Sequence, residues 1–243
     1  TGELASQLAS AETLARLEDI YRPYKQKRRT RATVAKERGL EPLAELLFAQ
    51  DRENGNIEQL AAQFINIDKE VPTVEDALAG ARDIIAEKVS DSAQARDVLR
   101  AFFHKTALVE TRAAGEEDSV YRMYYDYHEP IAKMAGHRVL AVNRGEKEGF
   151  LKVNLIVDED TAVASLERLF VRGTSIGKSE VQAAIADSYK RLIFPSLERE
   201  MRADLTEKAN EQAIGLFGSN LKALLLQPPV KGKVVLGLDP AYR

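Results

Sequence analysis

From Ser179 to about Gln227, apolar residues recur at the spacing of an α-helix for roughly fifty residues. Such a run predicts one long helix whose apolar face other elements must cover. Pro195 lies inside the run, and a proline in a helix interior removes a hydrogen bond and clashes with the preceding turn. We therefore expect a long helix with a kink or a break at 194–196.

The same period appears in shorter pieces along the rest of the chain, which indicates several amphipathic helices. Thr73 followed by Asp76 resembles a capping box and predicts a helix start. The apolar stripes expected to face a core are Leu14, Leu17 and Ile20; Leu43, Leu46 and Leu47; Ile57, Leu60, Ala61 and Phe64; Ala77, Leu78, Ala81, Ile84, Ile85 and Val89; and Val98, Leu99, Phe102 and Phe103.

Segment 151–157 instead alternates apolar and polar residues, as a strand does, and a short helix is expected just before it, over 137–149. One strand needs a partner, which the sequence does not identify. The predicted fold class is therefore mainly α, an irregular multi-helix array with one long kinked spine helix and minor β content.

Composition excludes several classes of protein. The chain has 35 basic and 38 acidic residues and a formal net charge of -3, so any polyanion binding must be local. It has no cysteine, which excludes disulfides and thiolate metal sites. Its apolar runs are far too short to span a bilayer. We expect a soluble cytoplasmic protein with no membrane contact and no cofactor.

The most distinctive local feature is "YRPYKQKRRTRATVAKERG" at 21–39, which carries eight basic residues and one acidic residue. The core of this basic run lies on a connector between Pro23 and a helix expected to begin near Thr33. Five basic side chains that fall within seven residues form it: Lys25, Lys27, Arg28, Arg29 and Arg31. Such a cluster can neutralise a few phosphates of a nucleic acid without reading sequence. The alternatives are a solvated loop, or ion pairs with acidic faces of neighbouring helices.

The segment "GTSIGKS" at 173–179 invites comparison with a phosphate-binding loop. That motif requires four residues between its two glycines, and only three separate Gly173 from Gly177. Lys178 and Ser179 are more simply a turn and the N-cap of the long helix, with Glu180 favourable in its first turn.

Histidines and tyrosines offer weaker candidates. His104, His128 and His137 are scattered and lack the spacing of a zinc site, which favours a structural role. A tyrosine-rich segment at helical spacing could stack on bases, although half-buried packing is the favoured interpretation. Its members are Tyr121, Tyr124, Tyr125 and Tyr127. No catalytic triad or carboxylate pair can be assigned, so no catalytic residue is predicted.

The last stretch, "VVLGLDPAYR" at 234–243, reads as an apolar strand that ends in Asp239. RNase H-like folds place their first metal-binding carboxylate at the end of such a strand, where Mg²⁺ and phosphate can meet. An ordinary turn after a strand gives the same pattern. The change in character predicts a domain boundary at about 228.

Several long stretches together resemble the bacterial Tex family of transcription accessory proteins. They are "LEDIYRPYKQKRRTRATVAKERGLEPLA" at 17–44, "HRVLAVNRGEKEGFLKV" at 137–153, "YKRLIFPSLEREMRADLTEKANEQAI" at 189–214 and "LLLQPPVKGKVVLGLDPAYR" at 224–243. The resemblance covers nearly the whole chain. It implies a fragment in which 1–228 is the helical central region and 229–243 starts a YqgF domain, an RNase H-like module. It also implies that the long helix is a spine between domains.

In such proteins an OB-fold domain outside this sequence is the principal RNA binder, and no catalytic role transfers. The expected function is thus a non-enzymatic, nucleic-acid-binding transcription accessory protein, in which this chain is a helical scaffold with the basic run as an auxiliary phosphate contact. The basic side chains of this run could instead stabilise the spine helix by forming ion pairs with the glutamates of that helix. The alternatives are an RNase H-like nuclease in the intact protein, with Asp239 as metal ligand, or a module that docks on RNA polymerase or its associated factors.

Overall fold

The computed structural model describes residues 2–11, 14–25, 28–228 and 231–239. These residues form mainly helices, with one small sheet, which confirms the predicted fold class. The elements in chain order are α1 (Gly2–Ala9), α2 (Leu14–Tyr21), α3 (Arg31–Glu37), α4 (Glu41–Ala49), α5 (Ile57–Ala62), α6 (Val74–Ser90), α7 (Ala93–Thr106), β1 (Leu108–Ala113), β2 (Asp126–Pro130), α8 (Gly136–Lys147), β3 (Leu151–Ile156), α9 (Glu159–Phe170), α10 (Lys178–Asp187) and α11 (Phe194–Leu225).

The predicted spine is a continuous helical rod of 48 residues that consists of α10, a π-helical turn and α11. The π turn spans Ser188–Ile193, and Pro195 is near the first residue of α11. The interruption therefore lies just before the predicted position of 194–196. A π turn shifts the backbone hydrogen bonds by one residue, and here it does so just before Pro195, which has no N–H to donate. The helical rod can therefore continue past the proline.

The N-terminal half of the rod packs against a cluster of helices in which α6 is central. Thr73 caps α6 by accepting a hydrogen bond from the backbone N–H of Asp76 at 3.1 Å, as the capping box predicts. The predicted apolar face of α6 is buried throughout. In the neighbouring helices Leu17 and Leu46 are exposed, contrary to prediction, because no other element of the described chain covers these two side chains.

The sheet has the strand order β2-β1-β3, with both pairs antiparallel. Strand β3 alternates buried and exposed side chains as predicted, and β1 is the partner that the sequence did not identify. Strand β3 packs against α8, which in turn packs along α11. The sheet is thus joined through α8 to α11, the C-terminal part of the spine.

The spine leaves the packed body at Ala209, its last buried residue, and residues 210–228 are all exposed. Residues 231–239 contain no strand, so the strand predicted at 234–238 is wrong for this structure. A strand needs a hydrogen-bonding neighbour, and none pairs with this segment in the described chain. The boundary at about 228 stays a prediction. No described helix is both long and apolar enough to cross a bilayer.

Gly80 allows the close approach of α6 to the turn after α3. A Cβ built on Gly80 would lie 2.3 Å from Cδ1 of the buried Leu40 and 3.3 Å from Cβ of Ala35. Alanine normally stabilises a helix interior relative to glycine by about 1 kcal/mol. Here the crowding outweighs that gain, because neither neighbour has free space to move into.

We expect Gly80→Ala to lower the free energy of unfolding by about 1–2 kcal/mol, measured by urea denaturation. Gly115→Ala is the matched control, because a Cβ at Gly115 meets nothing within 4 Å. Its effect should stay within about 0.5 kcal/mol. Equal stability of the two variants would contradict the packing described here.

Candidate nucleic-acid interface

The core of the basic run lies between the end of α2 and the start of α3, and the structure describes all of it except residues 26 and 27. A short 3₁₀ turn, Arg22–Tyr24, follows α2, and α3 begins at Arg31 behind the N-cap Thr30, whose hydroxyl accepts from the N–H of Thr33 at 3.1 Å. The helix start expected near Thr33 is therefore confirmed to within two residues. The described basic side chains of the connector are all exposed: Lys25, Arg28, Arg29 and Arg31. Lys27 lies outside the described residues.

These four cations differ in their electrostatic surroundings. Lys25 lines a cleft of about 240 Å³ together with Glu87 and Asp91 but also with Arg22 and Arg96, so charges of both signs lie near it. Arg31 acts on Asp83, whose pKa is raised by burial while the positive charges of Arg191 and Arg31 oppose that rise. Lys25 therefore lies among other charged side chains, and Arg31 lies near enough to Asp83 to interact with it electrostatically.

Arg28 and Arg29 together form only one ion pair with the described residues, and that pair is exposed. Arg29 pairs with Glu37 at 3.1 Å, but both side chains are more than half exposed, and such a surface pair contributes little. Arg28 makes no ion pair with any residue in the described part of the chain. Within that same part, none of the four described cations pairs with a glutamate of the spine, so the alternative role of stabilising the spine helix is not observed for them. Arg28 and Arg29 are the members of the run best placed to meet a phosphate.

The connector starts from a rigid point because α2 is anchored by a buried carboxylate. Asp19 is 2% exposed and accepts a hydrogen bond from Arg100 at 2.6 Å. It also lies 3.5 Å from Nε of Arg96 and 3.8 Å from Nε of Arg22. Arg100 in turn pairs with Glu200. The Asp19 cluster, meaning these five residues, thereby joins α2 to α7 and to the spine.

Burial and charge shift the pKa values of the two central arginines in opposite directions. Burial, with the nearby charge of Arg22, lowers the pKa of Arg96 to about 10, although Asp19 opposes the shift. Burial also acts to lower the pKa of Arg100, but hydrogen bonds to Glu200 and Asp19 outweigh it and raise that pKa. Arg96 is therefore the cation that depends most on keeping a carboxylate beside it.

The tyrosine-rich segment is not a surface for bases. Tyr121 and Tyr124 are buried, and the ring of Tyr124 meets that of Tyr127 edge to face at 5.3 Å. The favoured packing role is confirmed. The helical spacing behind it is wrong, because Tyr124 ends a 3₁₀ turn and Tyr127 lies in β2.

Two other tyrosines, which the sequence analysis did not single out, are exposed beside the basic run. Tyr21 ends α2 and is 54% exposed, and Tyr24 ends the 3₁₀ turn and is 62% exposed. The signal that could have found them is the interleaving of aromatic and basic residues in "YRPYK".

The remaining candidates do not converge on a site. His104, His128 and His137 are exposed on three separate elements, and the described residues contain no group of three side chains able to hold a metal ion. Asp239 lies in the exposed segment without a strand.

The segment 173–179 is a turn between two helices. No strand feeds it, since α9 precedes it and α10 follows it. Gly177, rather than the predicted Ser179, is the N-cap of α10, because the helix begins at Lys178. Glu180 lies in the first turn, as predicted, and pairs with Arg82 at 2.6 Å.

Comparison with known proteins adds a family to this geometry. A family model described as "Tex central region-like" matches residues 52–217. "Uncharacterized protein YdcI" of Bacillus subtilis is 48% identical over 100% of this chain and 34% of its own length. "Transcriptional accessory protein Tex" of Neisseria gonorrhoeae is 35% identical over 99% of this chain and 32% of its own.

A human relative is more distant. "S1 RNA-binding domain-containing protein 1" of Homo sapiens is 30% identical over 99% of this chain and 25% of its own length. The chain therefore spans about a third or less of the relatives it matches.

We expect Asp19→Ala to lower the free energy of unfolding by about 3–5 kcal/mol, measured by chemical denaturation, because it leaves Arg96 buried without its carboxylate. Asp118→Ala is the matched control. It removes an exposed pair with Arg122 at 3.6 Å and should cost less than about 0.5 kcal/mol. Similar losses in the two variants would show that the Asp19 cluster is not a structural anchor.

Proposed function

Since the chain belongs to the Tex family through its central region, we propose that it is the helical, non-enzymatic scaffold of a nucleic-acid-binding transcription accessory protein. We further propose that the connector supplies an auxiliary phosphate contact through Arg28 and Arg29. The observation that carries the second proposal is that these two adjacent arginines are exposed. Their one ion pair within the described residues is the weak surface pair of Arg29 with Glu37.

The electrostatics of the chain favour a contact of this limited kind. With a formal net charge of -3, the protein as a whole does not attract a polyanion, so attraction must come from a local cluster. Arginine binds phosphate in a planar, two-pronged geometry, and such contacts fix position without reading base sequence. A few of them give modest affinity that falls steeply with salt.

The shape of the spine supports the scaffold role. Its exposed half carries large apolar side chains spaced three or four residues apart, among them Ile214, Phe217, Leu221 and Leu224. A stripe of this kind is suited to packing against another folded unit. The relatives are about three times as long as this chain, and we propose that their remaining domains are held by the corresponding helix.

Arg28→Gln with Arg29→Gln, in the 243-residue chain, should weaken nucleic-acid binding to a similar degree for all base sequences. The slope of log affinity against log salt should flatten by about 0.7–0.9 for each phosphate that the variant no longer neutralises. Fluorescence anisotropy with labelled oligonucleotides at several salt concentrations measures both quantities.

Arg112→Gln with Arg122→Gln is the charge-matched control for this experiment. Both arginines are exposed and each forms a surface pair with a neighbouring acid, but they lie outside the connector. An unchanged affinity and slope in the connector variant, or an equal change in the control, would refute the phosphate contact.

The non-enzymatic part of the proposal is tested separately. Labelled RNA and DNA incubated with Mg²⁺ and the full-length protein should not be cleaved, and Asp239→Asn should change nothing. Gel analysis of the products is the measurement. Mg²⁺-dependent cleavage that Asp239→Asn abolishes would favour the nuclease interpretation instead.

A further inference from the structure

Tyr21 and Tyr24 stand apart from the other tyrosines of the chain. They are exposed, whereas the other five tyrosines within the described residues are buried or half-buried. Neither ring packs on another aromatic ring, and neither hydroxyl hydrogen-bonds, within the described part of the chain. Two large rings that are more than half exposed leave aromatic surface available to a planar ligand.

The two rings are held on a rigid support. The chain runs from α2 directly into the 3₁₀ turn, so Tyr21 and Tyr24 are three residues apart on one helical face, with about 5–6 Å between their Cβ atoms. Pro23 fixes the backbone between them. The residues immediately before Tyr21, the buried Asp19 and Ile20, tie this turn to the core. Little conformational entropy is therefore lost when a ligand stacks on the rings.

Positive charge begins at the same place. Arg28 is four residues after Tyr24, and four residues of extended chain reach at most about 14 Å. A ligand that stacks on the rings can therefore present anionic groups to Arg28 and Arg29. Paired aromatic rings beside exposed cations suit a flexible strand with flat bases and a phosphate backbone.

We propose that Tyr21 and Tyr24 form a stacking platform for bases of single-stranded nucleic acid, whose phosphates lie along Arg28 and Arg29. This inference rests on the phosphate contact proposed above. A duplex does not suit the platform, because its bases are already stacked and paired, while a single strand can splay its bases onto the rings. Single-stranded RNA and single-stranded DNA share this chemistry.

The test uses Tyr21→Ala with Tyr24→Ala in the 243-residue chain, with the fold of the variant checked by circular dichroism and thermal melting. Binding is measured by anisotropy against a single-stranded RNA, a single-stranded DNA and a duplex of the same sequence. Removal of each ring should weaken single-strand binding about 5- to 150-fold. Duplex affinity should stay within about twofold, and the salt slope should not change, since no charge is removed.

Two further variants separate stacking from other effects. Tyr21→Phe with Tyr24→Phe keeps the rings and should keep single-strand affinity. Met123→Ala removes a large exposed side chain outside the basic run and should leave affinity unchanged. The chain has no tryptophan and eight tyrosines, so intrinsic fluorescence reports on tyrosine alone. Single strands should quench part of this signal in the wild type, and that quenching should disappear in the double alanine variant.

The outcomes distinguish the two proposals. Selective loss of single-strand binding supports the platform, and the RNA and DNA arms show which strand it takes. If the alanine variants bind single strands normally while the Arg28 and Arg29 variant does not, the platform is wrong and the phosphate contact stands. Equal loss for single strands and duplex also overturns the platform. If neither set of variants alters binding, both proposals fail.

Discussion

The burial of the first half of the spine is the constraint on which the rest of the fold depends. Between Val181 and Ala209 the rod packs against α6 through α10 and the π turn, and against α8 through α11. The helix cluster and the sheet therefore belong to one hydrophobic core, although they come from different parts of the sequence. Because burial of apolar surface dominates folding, this shared helix makes the two halves a single body.

The Asp19 cluster adds polar specificity to that apolar packing. A buried ion pair offsets its own desolvation cost only when its geometry is good, so it stabilises little over an apolar contact. It does constrain geometry, because α2 must pack where Asp19 can form ion pairs with Arg96 and Arg100. The end of α2, and with it the position of Tyr21, follows from that constraint.

The sequence predicts the local features of this protein well and poorly predicts what depends on tertiary packing. The capping box of α6 and the alternation of β3 depend on neighbours within a few residues. Strands β1 and β2 escape prediction because their stability comes from pairing across the sheet. Composition identifies the basic run, but it cannot show that charges of both signs line the cleft beside Lys25. Nor can it show that Tyr21 and Tyr24 are uncovered while the tyrosines at 121–127 are packed.

A site of this kind is compatible with a chain that is slightly acidic overall. Screening at physiological salt limits the reach of an exposed charge to about 8 Å, so distant carboxylates have little effect on a phosphate at Arg28. Arg29 is adjacent in the chain and exposed, so it adds to the local attraction. The neighbouring rings add a contribution that salt does not screen, because stacking depends on surface contact rather than on net charge. The proposed site therefore does not require a net positive charge on the whole chain.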